Sequence, residues 1–233
     1  SDYAFGHDLT RVTRRLLAEL GGKEIGHDLV PTGTADYSSY ILKIRNANPE
    51  VVFVNVAGAD QTTFLKQYRE FGLKIDVAGG VTDTVLMWNA GKDTAQGVWT
   101  LIWWGDLDNP WTKNFTSKYR QKYGIPPENQ AWGDYTSINA LAQAIKMAGT
   151  TDTKKVIEAM EKIKFDGGKG RELYYRTYDH QLIQPMYVVS IKKTGNKDQY
   201  DIFNVVAEVP GKDENMEAIA PTKEENPCNM KRG

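Results

Sequence analysis

The sequence predicts an α/β fold of the doubly wound kind. Three observations carry that reading: helical and β-rich stretches alternate from residue 6 onward, the run Val51-Val52-Phe53-Val54 is unbroken by a polar residue, and glycines stand where helices should stop. Alternation of strand and helix builds a parallel sheet, and a strand covered on both faces has no polar face to show.

Taken in order, Leu9, Val12, Leu16 and Leu20 recur at helical spacing, and Gly21-Gly22 supplies a stop, which gives a first helix. Residues 24–30 read as a strand. Tyr37, Tyr40, Ile41 and Ile44 share one face of a second helix. The run 51–55 is the next strand, and its apolar character places it centrally in the sheet. Phe64, Leu65, Tyr68 and Phe71 mark a third helix closed by Gly72, after which residues 75–78 form a short strand running into Gly79-Gly80. A short helix near residues 84–90 precedes 97–104, a further buried strand.

Past that point the composition changes. Residues 105–110 are polar and rich in turn formers, and they lead into a helix whose Trp111, Phe115, Tyr119 and Tyr123 repeat every four residues. Such a stripe is what ordinary amphipathic packing produces, so it reads as core. Residues 124–127 break the chain before a long helix carrying Tyr135, Ile138, Leu141 and Ile145, and a shorter helix holds Val156, Ile157 and Met160. Residues 184–193 and 200–207 read as strands joined by Thr194-Gly195-Asn196, and the polar end of the chain reads as a surface tail.

The bulk properties exclude several classes. A chain of 233 residues with 40% hydrophobic content can bury a substantial core. Its net charge of −1 offers no general attraction to nucleic acid or an anionic membrane surface. The longest apolar runs are of strand length, far below the ~20 residues that span a bilayer. The opening Ser1-Asp2-Tyr3 has neither a basic stretch nor an apolar one, so no signal peptide is expected within the chain. Cys228 is the single cysteine, so neither an internal disulfide nor a cysteine-rich metal site is expected. His7, His27 and His180 are scattered, with no HExxH, Walker loop, GxGxxG or GxSxG around them. No catalytic residue, metal ion or cofactor is expected, and the reading is of a binder rather than an enzyme.

Tyr3-Ala4-Phe5-Gly6 looks like the loop between a strand and the first helix, yet no strand stands before it. A parallel sheet that opens on a helix lacks its natural first strand, so an N-terminal portion is expected to be missing from this chain.

Tyr3-Ala4-Phe5-Gly6 opening a helix, the strand at 51–55 followed by Val56-Ala57-Gly58-Ala59-Asp60, and Phe71-Gly72-Leu73 before Gly79-Gly80 resemble type I periplasmic binding proteins. Within them the similarity is greatest to the branched-chain amino-acid-binding group, the Leu/Ile/Val-binding proteins of ABC transporters. The resemblance runs over roughly residues 1–207 and rests on the order of short motifs. It implies two doubly wound lobes that close on a small-molecule solute, three chain passages between them, export to the periplasm, and delivery to an ABC transporter permease in the membrane. On that plan residues 1–103 are lobe two, 104–183 return to lobe one, 184–207 go back to lobe two, and 208–233 are a C-terminal tail. Lobe one is then incomplete in this chain, its remainder supplied by the missing N-terminal segment or covered by another copy of the chain.

The resemblance also places candidate ligand-binding residues. Tyr3 matches the tyrosine that packs on the solute, and the same residue could instead brace the first helix. Ala57 and Gly58 match a contact loop where amino-acid binders often carry a tyrosine, so small residues there leave room for a larger solute. Val81 stands where amino-acid-binding members use a glutamate for the ammonium group. A valine supplies no such charge, and an ammonium buried without one is costly. Asp83 could substitute, or cap the following helix. Trp103 and Trp104 fall at the passage between lobes and offer flat faces to an aromatic or cationic solute, or pack the passage itself. Gln130 matches a lobe-one pocket position, where it could hydrogen-bond a solute or be simply an exposed loop glutamine. The favoured solute is an aromatic or other organic carboxylate without an essential amino group. A branched-chain amino acid is the alternative, and a ligand-sensing regulatory module with the same fold, or an enzyme whose catalytic residues lie in the missing part, are the rival functions.

Overall fold

The computed structural model describes residues 1–226 of the chain. Cys228 lies outside the described residues. The chain divides into two compact units: one comprises residues 1–101 and 188–206, the other residues 102–187 and the stretch beginning at Ala207.

In the first unit α1 (Ala4–Glu19) and α2 (Ser38–Ala47) precede β1 (Val51–Phe53), α3 (Gly58–Glu70), β2 (Asp76–Ala78), α4 (Thr84–Thr94) and β3 (Val98–Leu101). β1 pairs parallel with β2, and β2 parallel with β3. The sheet continues through β7 (Met186–Ile191) and β8 (Phe203–Val209) in the order β1-β2-β3-β7-β8. The buried face of α3 sets Phe64, Leu65 and Tyr68 against Tyr37 and Ile41, all 4% exposed or less. Phe64 meets the Tyr37 ring edge-on at 5.5 Å. Gln67 fixes the register of this packing, its amide bonding Tyr37 N–H and the Ala35 carbonyl.

Four expectations are corrected here. β1 is an edge strand, not a central one, and Val51 and Phe53 on it are about half exposed. Residues 24–30, expected to be a strand, pair with no other strand among the described residues. α1 forms where periodicity put it, yet Leu16 and Leu20 on its apolar stripe are exposed, and Gly6 is its one buried residue. The run 97–104 is a strand only as far as Leu101, because the chain there passes into the second unit.

The second unit holds α5 (Pro110–Tyr123), α6 (Asn129–Ala148), α7 (Thr153–Met160) and an antiparallel sheet of β4 (Lys164–Phe165), β5 (Leu173–Tyr175) and β6 (Leu182–Ile183), for which the sequence reading had no counterpart. α5 begins at Asn109, whose side-chain Oδ1 accepts from Thr112 N–H at 2.8 Å, with Pro110 in the first turn where no amide partner is needed. α6 begins at Glu128, whose carboxylate accepts from Gln130 and Ala131 N–H. The core face of α6 differs from the expected one. Trp132, Thr136, Ala140 and Ala144 are buried, while Tyr135, Ile138 and Leu141 are exposed. Small residues decide this, because Ala140 and Ala144 let Val156, Ala159 and Ile163 approach closely enough to exclude water. The aromatic stripe of α5 is core only at its start: Trp111 and Phe115 pack on Trp103, Trp132 and Leu173, while Tyr123 is exposed.

The described part of the segment after Val209 is held to this unit by side chains. Arg171 donates to the carbonyls of Pro210, Gly211 and Glu214, and Tyr174 hydroxyl donates to Glu217. Arg176 donates to the Pro221 carbonyl and pairs with the buried Asp179, which in turn accepts from Asn226 Nδ2.

Candidate functional site

In a parallel sheet the loops leaving the carboxyl ends of the strands carry the helix N-termini that follow, and small ligands bind beside them. The first unit has two such loops side by side, after β1 and after β2. Val54 N–H donates to the Ala78 carbonyl at 2.7 Å, which keeps the strands paired to the point where both loops begin. Gly79 is required there. A Cβ on it would lie 2.2 Å from the Trp99 ring and 2.6 Å from the Val54 carbonyl oxygen, so a larger residue would force the strands apart.

The two loops are tied to each other by Gln61, which is 2% exposed on the inner face of α3. Its amide nitrogen donates to the Val56 carbonyl at 3.1 Å and to the Val81 carbonyl at 3.0 Å. Its amide oxygen accepts from the buried Thr82 hydroxyl at 2.7 Å. Ala57 N–H donates to Ser1 Oγ at 3.3 Å, which brings the chain leading into α1 to the same place.

The structure therefore gathers five of the expected residues at one end of the sheet. Tyr3 is the N-cap residue of α1, 45% exposed and stacked on Phe5 with ring centroids 5.9 Å apart. Ala57 is the N-cap residue of α3 and Gly58 its first residue, at φ +62. Val81 is half-buried, its carbonyl held by Gln61. Asp83 caps α4, its Oδ1 accepting from Leu86 N–H at 3.1 Å. Neither Tyr3 nor Ala57 places a side chain on the helix that follows it, so the first-turn amides of α1 and α3 have no side-chain cap.

Trp103, Trp104 and Gln130 belong to the second unit. Trp103 is fully enclosed, stacked on Trp132 with centroids 6.3 Å apart and edge-on to Phe115. Its backbone N–H donates to Asn129 Oδ1 at 3.0 Å, and its indole N–H has no hydrogen-bond partner among the described residues. Both of its ring faces are occupied by packing. Trp104 is also buried, and Gln130 is exposed in the first turn of α6.

Gln61 and Thr82 had not been singled out, although the signal for Gln61 was present. It precedes Phe64, Leu65 and Tyr68 by three, four and seven positions, which puts a polar side chain on the buried face of α3. Among the described residues no group of three or more His, Cys, Asp or Glu is placed to hold a metal ion, and no helix is long and apolar enough to cross a membrane.

Residues 1–196 match the periplasmic binding protein family. The Leu/Ile/Val-binding protein homolog 1 of Brucella abortus is 30% identical over 200 residues, covering 84% of this chain and 53% of its own length. A periplasmic binding protein of Burkholderia mallei superposes with a TM-score of 0.83 at 29% identity, over 97% of this chain and 60% of its own. A solute-binding protein of an ABC transporter from Rhodopseudomonas palustris BisB5, solved with 3,4-dihydroxybenzoic acid, superposes with a TM-score of 0.78 at 24% identity, over 89% of this chain and 58% of its own. The chain thus spans about half the length of the Brucella relative. These are names of solute binders, not of enzymes.

Proposed function

The chain belongs to the periplasmic binding protein family, and on that footing we propose that the protein it forms part of captures a small organic solute in the periplasm by lobe closure and presents it to an ABC transporter permease. The chemistry is recognition without covalent change. The favoured solute is an aromatic or other organic carboxylate that needs no amino group.

One observation carries the choice of solute: the N-termini of α1 and α3 lie beside each other with no side-chain cap on either. Helix N-termini carry partial positive charge and free amides, and they favour a carboxylate over an ammonium group. Val81 adds no negative charge at this place, and Asp83 is engaged as the cap of α4. Ala57 and Gly58 leave the space beside Tyr3 to the solute, and the exposed Tyr3 ring offers it a flat apolar face. In this reading Trp103 supports the second unit from within. The Rhodopseudomonas protein solved with 3,4-dihydroxybenzoic acid shares the fold. The Brucella relative's name favours the second reading, a branched-chain amino acid.

Thermal unfolding of the full-length gene product with benzoate, 3,4-dihydroxybenzoate, leucine, isoleucine and valine tests both. A ligand that binds only the folded state at 100 times its Kd stabilises it by about 2.7 kcal/mol. Stabilisation by the aromatic acids is expected. Stabilisation by the aliphatic amino acids alone would transfer the assignment to the second reading, and no shift with any of the five would defeat both.

A further inference from the structure

The chain passes between the two units at three places, after Leu101, after Tyr187 and after Val206. One side chain of the second unit reaches the segments that adjoin the first two of those passages. Lys169 sits in the turn between β4 and β5, held there by Asp166, whose Oδ1 accepts from the N–H groups of Lys169 and Gly170. Gly168 in this turn is at φ +78, and a Cβ there would meet the Trp111 ring at 2.2 Å, so the turn is built tightly against α5. From it the Lys169 side chain runs inward and is 5% exposed.

Its ammonium donates to the carbonyl of Ile102, the first residue after the first passage, and to the carbonyl of Pro185 at 2.7 Å, just ahead of the second. It stands over the Tyr187 ring at 5.3 Å, the last residue before that passage, and over the Trp132 ring at 4.7 Å. Glu208, two residues past the third passage, is near enough for its carboxylate to act on the ammonium. The other charges nearby are Asp166 and Arg171 of the same turn and strand, and Arg171 lies 3.5 Å from Glu208.

A buried ammonium is costly unless it is paired and hydrogen-bonded. Burial pushes Lys169 down to about 7, with Glu208 pulling the other way. The turn itself does not need this side chain, because Asp166 closes it through backbone amides. A cost that the local structure does not require points to a role at the place the side chain reaches.

We propose that Lys169 is a positioning residue that fastens together the second-unit ends of the first two chain passages, so that they move as one element when the protein changes conformation. The link to solute capture rests on the lobe-closure reading given above; the fastening does not.

Hydrogen exchange on the full-length gene product separates the two. In wild-type protein under mild urea, the amides of residues 102–104 and 186–188 are expected to open at one common urea dependence. In K169M their exchange is expected to speed up at least tenfold in both segments together. Acceleration confined to residues 166–171 would make Lys169 a local turn residue and overturn the proposal, as would two unrelated urea dependences in the wild type. The wild-type measurement decides the matter even where K169M does not fold. Binding of benzoate and of leucine is then compared. A tenfold or greater change in Kd with coupled exchange supports both readings, whereas coupled exchange with no binding of either probe sustains the fastening and defeats the proposed function.

Discussion

Replacing Gln61 by leucine probes the tie between the two loops that carry the candidate site. Leucine fills much the same space on the inner face of α3, so the loss is of hydrogen bonds rather than of packing. The substitution strands the Val56 carbonyl, the Val81 carbonyl and the Thr82 hydroxyl, of which the first and last are in buried surroundings. A buried polar group left without a partner costs about 1–3 kcal/mol. The Val81 carbonyl lies in a partly buried bond, so water can restore part of its loss. The expected cost is therefore about 2–6 kcal/mol, a large part of the roughly 5–15 kcal/mol by which a domain is stable. Thr82→Val alone removes one of the three bonds and should cost less. In the Gln61→Leu background it should cost little more, since its partner is already gone, and that non-additivity is the signature of a shared network. Urea unfolding followed by circular dichroism measures these differences, and amide exchange at residues 56–59 and 80–84 locates them. A Gln61→Leu protein within about 1 kcal/mol of wild type, or strictly additive single and double mutants, would refute the reasoning.

Asp83→Ala should cost about 1 kcal/mol through loss of the α4 cap and leave the Kd for benzoate unchanged; weaker binding with unaltered unfolding would make Asp83 a solute contact instead. Arg176 and Asp179 form an ion pair that is 4% and 5% exposed, and removing one member of such a pair costs about 3–5 kcal/mol, so Asp179→Asn should lower the urea midpoint sharply at pH 7. Burial raises the Asp179 carboxyl, but the hydrogen bonds from Arg176, Gln181 N–H and Asn226 outweigh it and hold the group below its ordinary 3.8. The carboxylate's stabilisation is thus fully present above that value and is lost as pH falls below it. The gap between wild type and Asp179→Asn should shrink on acidification from pH 5 to pH 2, and a gap independent of pH over that range would contradict the pairing.

Much of the molecule was determined by local pattern alone. Helical spacing placed α1 through α7, because a helix is decided by residues three and four apart that meet without help from the rest of the chain. The short motifs around residues 3–6, 56–60 and 79–80 also indicated the family, since loops that pass close to a sheet end need small residues in fixed order. Even Gln61 was legible in principle, as a polar residue in phase with Phe64, Leu65 and Tyr68.

What the sequence left open was which face meets which partner. Both faces of α6 carry apolar residues, and Ala140 and Ala144 rather than Ile138 and Leu141 are buried, because the smaller side chains let α7 come close. An apolar run made β1 a strand, yet its place at the edge of the sheet, with Val51 and Phe53 about half exposed, is a matter of strand pairing that the run does not record. Trp103 looked equally suited to a solute and to a core until its ring was found between Trp132 and Phe115. Lys169 gave no signal, because a lysine among glycines reads as an exposed turn. Periodicity reports only neighbours along the chain, whereas burial, edges and buried charges are decided by segments far apart in sequence that compete for the same surface.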